Sequence, residues 1–195
     1  MSSKPYRKLG TDNSPKSCCS CCKKIPLCCK ITMVVLTVVV LAGLGLFVGF
    51  AASNPLHASC RVNWMFPSMT CSNVKTKLKN QIALWNGPDN CKNGGEKCLY
   101  KFVSESTNTL KAIHETPSKH YKDDLTFTFS DAGMNCKTEG YSTSETWYAV
   151  LDYGTNYCNL HNLITGSGLS NITGYAESTS NSQCTQYSSA DCMKY

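Results

Sequence analysis

Ile31 to Ala52 reads ITMVVLTVVVLAGLGLFVGFAA, 22 residues with no charge, in which Thr32 and Thr37 are the only polar side chains. Wound as a helix at about 1.5 Å per residue it is roughly 33 Å long, enough to cross a hydrocarbon core of about 30 Å. The segment therefore reads as a membrane span. The apolar core of a cleaved signal peptide has about 7 to 15 residues behind a short basic stretch, whereas this one is longer and stands behind 30 residues. An uncleaved signal-anchor is expected, although Ala51, Ala52 and Ser53 also have the small side chains of a cleavage site.

This reading divides the 195 residues into three parts. Residues 1–30 form a basic, cysteine-rich tail expected to be disordered, 31–52 the transmembrane helix, and 53–195 a single folded domain. The flanks set the orientation. Seven basic residues, Lys4, Arg7, Lys8, Lys16, Lys23, Lys24 and Lys30, precede the span against one acid, Asp12, while only Arg61 is basic in the first 20 residues beyond it. The positive-inside rule then keeps the N-terminus in the cytosol and translocates the C-terminal part, a type II arrangement at the plasma membrane or a secretory-pathway membrane. The formal charge of +6 resides in that tail, because Arg61 to Lys194 contain twelve basic and twelve acidic residues. The folded part has no excess charge with which to hold a polyanion, which excludes a nucleic-acid partner.

The fourteen cysteines fall into two populations. Cys18, Cys19, Cys21, Cys22, Cys28 and Cys29 lie in SCCSCCKKIPLCCK on the cytosolic side, where reducing conditions disfavour stable disulfides. Free thiols beside a span, interleaved with lysines that approach anionic headgroups, are a setting for reversible S-acylation. Paired thiolates also bind zinc or copper(I), but a structural zinc site needs a small folded knuckle, and this tail lacks the residues to build one. Cys60, Cys71, Cys91, Cys98, Cys136, Cys158, Cys184 and Cys192 lie beyond the span, and an even number in an oxidising compartment indicates four disulfides. Cys91 with Cys98, across Gly94-Gly95, and Cys184 with Cys192 are the local pairs expected. Asn171-Ile172-Thr173 is the one N-glycosylation acceptor there, in a Gly- and Ser-rich stretch that reads as an exposed loop.

The 143 residues from Ser53 suffice for one hydrophobic core. Val74, Leu78, Ile82 and Trp85 recur at helical spacing behind a cap at Ser72 or Asn73, and Gly87-Pro88 ends that helix. Leu125, Phe127 and Phe129 alternate with Thr126, Thr128 and Ser130, as in a strand with one wet face. Cys98–Ser104, Thr109–Glu115, Asn135–Tyr141 and Trp147–Tyr153 are further strand candidates, punctuated by turn residues. From Asn159 onward the chain reads as loops with at most one short helix. The expected class is α+β, one amphipathic helix packed on a curved antiparallel sheet of four or five strands, a layer arrangement that resembles cystatin-like folds.

No HExxH, GxSxG or P-loop pattern occurs, and no cofactor, metal or catalytic residue is assigned. His114, His120 and His161, with Glu115 nearby, are the only histidine-based candidates for acid-base work, and an ectoenzyme needs them to converge with carboxylates in a cleft. The aromatics Trp85, Phe127, Phe129 and Trp147 either fill the core or line a pocket for a small apolar ligand. In the span, Gly45, Gly49 and Ser53 repeat every four residues, a face that lets a second copy of the helix approach closely. The function expected is that of a membrane-tethered, glycosylated interaction module with an extracellular or membrane protein as partner. A tethered binder of a small apolar ligand is the alternative and an ectoenzyme the third class.

Overall fold

The computed structural model describes residues 27–53 and 55–195. The first element, α1 (Leu27–Ser53), runs unbroken through the apolar segment and four residues further on its N-terminal side. Its window from Lys30 to Ala51 is long and apolar enough to cross a membrane. Thr37 donates its hydroxyl to the Met33 carbonyl at 2.8 Å, so this polar side chain is satisfied within the helix itself. Because the helix continues to Ser53, positions 45, 49 and 53 share one face. Cys18, Cys19, Cys21 and Cys22 lie outside the described residues, while the backbone at Cys28 and Cys29 belongs to the first turn of α1.

The folded domain is α+β. Six strands, β1 (Ser59–Phe66), β2 (Tyr100–Glu105), β3 (Thr109–Glu115), β4 (Lys122–Ala132), β5 (Asn135–Ser144) and β6 (Ala176–Ser178), form one antiparallel sheet in the order β2-β3-β4-β5-β1-β6. Period-two patterning decides which side chains enter the core: Val62, Trp64 and Phe66 of β1, Leu110 and Ala112 of β3, and Leu125, Phe127 and Phe129 of β4 are buried. Opposite them, α2 (Cys71–Leu84) buries Val74, Leu78 and Ile82, and α3 (Thr155–Gly166) buries Leu160, Leu163 and Ile164 in the same cluster. The core therefore has two helices against one sheet, where the sequence indicates one. Strand β1 and the short β6 raise the strand count above the four or five expected.

The α2 boundary also moves. Thr70, not Ser72 or Asn73, is the cap, its hydroxyl accepting from the Asn73 amide at 3.3 Å, and the helix stops at Leu84, ahead of Gly87-Pro88. Trp147–Tyr153 is not a strand. The sheet ends at Ser144, the chain tightens so that the Ala149 amide bonds the Thr146 carbonyl, and the bulky side chains turn outward.

Four disulfides join Cys60 to Cys184, Cys71 to Cys136, Cys91 to Cys98, and Cys158 to Cys192. The local Cys91–Cys98 pair is as expected, and Cys184–Cys192 is not formed. Cys184 is drawn to Cys60 by a β-bridge between the two residues, leaving Cys192 to reach Cys158 on α3. The C-terminal segment is thus fastened twice, once to the sheet and once to a helix.

Candidate functional site

Across one end of the sheet, Tyr100 of β2, His114 of β3, Asp123 of β4 and Ser144 of β5 stand in register as successive neighbours. Side chains at directly opposed positions share a face, so four polar groups form a row on the side that elsewhere carries the apolar core. Tyr100, His114 and Asp123 are buried. Helix α3 meets this row with a matching polar edge, because Asn156, Asn159 and Asn162 are all buried at a spacing of three. Asn159 donates to Asp123 Oδ2 at 2.7 Å and accepts at its carbonyl from the Tyr100 hydroxyl at 3.1 Å. Ser142 donates to Asn156 Oδ1 at 2.6 Å, and Asn162 donates to the Tyr195 carbonyl at 2.9 Å. These bonds offset most of the cost of burying the row, although His114 Nδ1 and Asn162 Oδ1 are buried without a hydrogen-bond partner among the described residues.

The row opens into a cleft of about 550 Å³ with Glu96, Asp123 and Asp152 on its lining and Tyr121, Tyr148 and Leu151 on its apolar side. The three carboxyls differ in how they are held. Asp152 is occupied in starting α3, accepting from the amides of Gly154 and Asn156 at 3.0 and 3.1 Å and from Asn156 Nδ2 at 2.8 Å, while burial still raises its pKa. Burial pushes Asp123 up to about 6 despite the hydrogen bonds from Asn159 and Ser144. Burial and the nearby Asp123 charge lift Glu96 to about 6 against the opposing pull of Lys194. Among the described residues, Glu96 Oε2 is buried without a hydrogen-bond partner. The two raised carboxyls line the cleft together with Lys119, and a protonated amine or guanidinium is the group that carboxylates so placed would pair with.

Thr146 and residues 148–153 form one wall, held by their backbone. The Ala149 carbonyl accepts from the Ala58 amide at 2.8 Å, the Ala58 carbonyl from the Ser144 amide at 3.1 Å, and His57 donates Nε2 to the Ser144 carbonyl at 2.9 Å. At the other end Gln186 Oε1 accepts from the amides of Asp152 and Tyr153 at 3.0 and 2.7 Å. Gly154 follows at φ +80°, and a Cβ there would stand 2.5 Å from that of Ala190, so the turn into α3 requires glycine on both counts.

A second polar cluster centres on Glu177 of β6. Its carboxylate accepts from Trp64 Nε1 at 2.8 Å, Tyr157 at 2.7 Å and Tyr175 at 2.8 Å, with His161 Nδ1 at 3.4 Å. Burial alone would raise this carboxyl, but donation from His161, Trp64, Tyr157 and Tyr175 outweighs it and lowers the pKa to about 2. With every donor committed, the cluster ties β6 and α3 to β1.

The three histidines belong to different surroundings. His114 is fully buried, donates Nε2 to the Glu96 carbonyl at 2.8 Å, and is pushed by burial down to about 4, so it is neutral. His120 pairs with Glu115 at the surface at 2.7 Å, and His161 belongs to the Glu177 cluster. Among the described residues no three metal-binding side chains lie together.

The four aromatics do not share a pocket either. Phe127 and Phe129 are core residues, Phe127 stacking on Trp64 at 6.2 Å between centroids; Trp85 packs on Tyr100 at 5.8 Å; and Trp147 is 85% exposed. None of the four lines the cleft. Asn171 is exposed at the end of a short 3-10 turn, open to modification. Sequence reading missed Glu96, Asp123 and the asparagine edge of α3. The available signal was the run Asn156, Asn159, Asn162 at helical spacing in NYCNLHNLITGSGL. Comparisons with protein-family models, with curated proteins and with solved structures found no match to this chain.

Proposed function

We propose that the chain is a single-pass type II membrane protein, acylated on its cytosolic cysteines and glycosylated at Asn171, whose translocated domain is a binding module. The cleft takes a positively charged group carried on an apolar body, presented by the surface of a partner protein. The observation that carries this reading is the cleft that Glu96 and Asp123 line together, with burial holding both carboxyls at about 6. A lysine or arginine side chain entering there would meet two carboxyls and slide its aliphatic stem along Tyr121, Tyr148 and Leu151. The layering, a helix laid across an antiparallel sheet, keeps its likeness to cystatin-like folds as part of this reading, and the face at Gly45, Gly49 and Ser53 suits pairing of two spans.

The size of the cleft, about 550 Å³, also favours a second reading, a small ligand bound without help from charge. Calorimetry on the full chain in nanodiscs separates the two, with phenethylamine and 2-phenylethanol as probes of like shape. The amine should bind about tenfold more tightly than the alcohol, a difference of about 1.4 kcal/mol, and Glu96→Gln should abolish the preference. Equal binding of both probes would reject the cation reading in favour of the apolar one. Topology is checked separately by protease protection on microsomes, where digestion of the C-terminal part from the cytosolic side would reverse the orientation.

A further inference from the structure

We infer that the loop at 147–153 (WYAVLDY) is a second membrane contact, seating its aromatic and aliphatic side chains in the headgroup region of the bilayer that the apolar helix spans. The inference rests on the membrane reading of α1. Within this short stretch Trp147 is 85% exposed, Tyr148 66%, Val150 43%, Leu151 53% and Tyr153 65%. Apolar area of this kind, clustered rather than scattered, marks a surface with an occupant.

The covalent chain says which occupant. Helix α1 ends at Ser53, and the loop is hydrogen-bonded to Ala58, so four residues, or five Cα–Cα steps, connect the end of the helix to the strand entry that holds the loop. At about 3.3 to 3.6 Å per residue that connection reaches at most about 18 Å. A group tethered so closely to a bilayer experiences its interface continuously, whereas a soluble partner must be captured from solution. The composition agrees with that interface. Trp and Tyr are the residues that accumulate at the membrane boundary, an apolar ring inward and a polar N–H or O–H outward, and three of the seven loop residues are of these types. The backbone bonds through Ala58, Ser144 and Gln186 hold the loop in place, so little ordering is required on contact.

The chain has three tryptophans, Trp64, Trp85 and Trp147, and none in the span, so quenching by lipid reports the folded domain alone. The full chain is reconstituted in phosphatidylcholine vesicles with and without bromine on the acyl chains near the headgroup, and flotation first establishes that it is bound. Emission should fall by about a third in brominated lipid, the share of one indole in three, and Trp147→Ser should remove that loss. Leu151→Glu, which retains all three indoles, should lower the quenching at least twofold. Equal quenching in wild type and Trp147→Ser, or none in a chain that floats, would overturn the assignment while leaving the span intact. A chain that fails to float would overturn the span and the loop contact together. Protection of Trp147 from iodide that grows with protein concentration in detergent, without a bilayer, would give the loop to a second copy instead and overturn the inference.

Discussion

Asn159 of α3 donates its side-chain amide to the buried carboxyl of Asp123 at 2.7 Å, and this bond joins the polar edge of a helix to the polar row of the sheet. It explains why a core otherwise made of leucine, phenylalanine and tryptophan tolerates a carboxyl on its inner face. The bond does not fully compensate burial, which holds Asp123 at about 6 when its ordinary value is 3.8. The consequences are measurable.

An acid whose pKa is raised by folding costs stability wherever it is ionised. For Asp123 the cost is complete above pH 6 and relieved as pH falls towards 3.8. Asp123→Asn keeps an oxygen for Asn159 and removes the charge. It should raise stability by about 2 to 3 kcal/mol at pH 7.5, with the gain vanishing by pH 4. Thermal melts of the reconstituted protein across that range check it, and a gain that does not depend on pH would contradict the assigned cause.

Glu177 behaves in the opposite sense. Its pKa is lowered to about 2 from 4.5, so its contribution is fully present above pH 4.5 and disappears as pH falls towards 2. Together the two groups place the maximum of wild-type stability near pH 4, between the ordinary values of the two carboxyls. Glu177→Gln turns amide protons towards the donors Trp64, Tyr157 and Tyr175 and should cost about 1 to 3 kcal/mol at pH 7. It should also flatten the acid limb of the stability curve, which the same melts record.

Gly140 of β5 lies beneath the Trp64 ring, where a Cβ would stand 2.5 Å from the nearest ring atom. Neither partner has room to yield, since Trp64 is fully buried and held by Glu177. Gly140→Ala should therefore destabilise by about 1 to 3 kcal/mol in spite of the better strand propensity of alanine. Urea titration followed by Trp emission measures the loss, and a neutral substitution would show that the ring can shift.

The disulfides should differ in worth according to the chain they enclose. Cys91 and Cys98 are 7 residues apart and Cys60 and Cys184 are 124 apart. On the chain-entropy account the first contributes about 2 kcal/mol and the second about 5 kcal/mol. Replacing each pair by serine and comparing urea midpoints tests the order, and a larger loss from the Cys91–Cys98 pair would mean that local strain or packing outweighs loop closure.

How much of this was legible in the residues depends on whether a pattern is local. The apolar run at 31–52 announces itself, because hydrophobicity sustained over that length has few other meanings, and the α2 stripe and the alternation at Leu125, Phe127 and Phe129 follow equally directly from helical and strand periodicity. Strand β1 carried the same alternation at Cys60, Val62, Trp64 and Phe66 but was obscured by its nearness to the apolar run. Helix α3 was hidden for another reason: its buried edge is made of Asn156, Asn159 and Asn162, and polar residues mark an inner face only after their partners are known. The even number of cysteines beyond the apolar run promised four bridges, yet only the folded chain could decide that Cys184 pairs with Cys60, since a contact across 124 residues leaves no local trace. The same holds for the cleft. Glu96, Asp123 and Asp152 are ordinary acids along the sequence, and strand register and helix packing make them neighbours with altered proton affinities, because burial and mutual charge are properties of three-dimensional surroundings rather than of order along the chain.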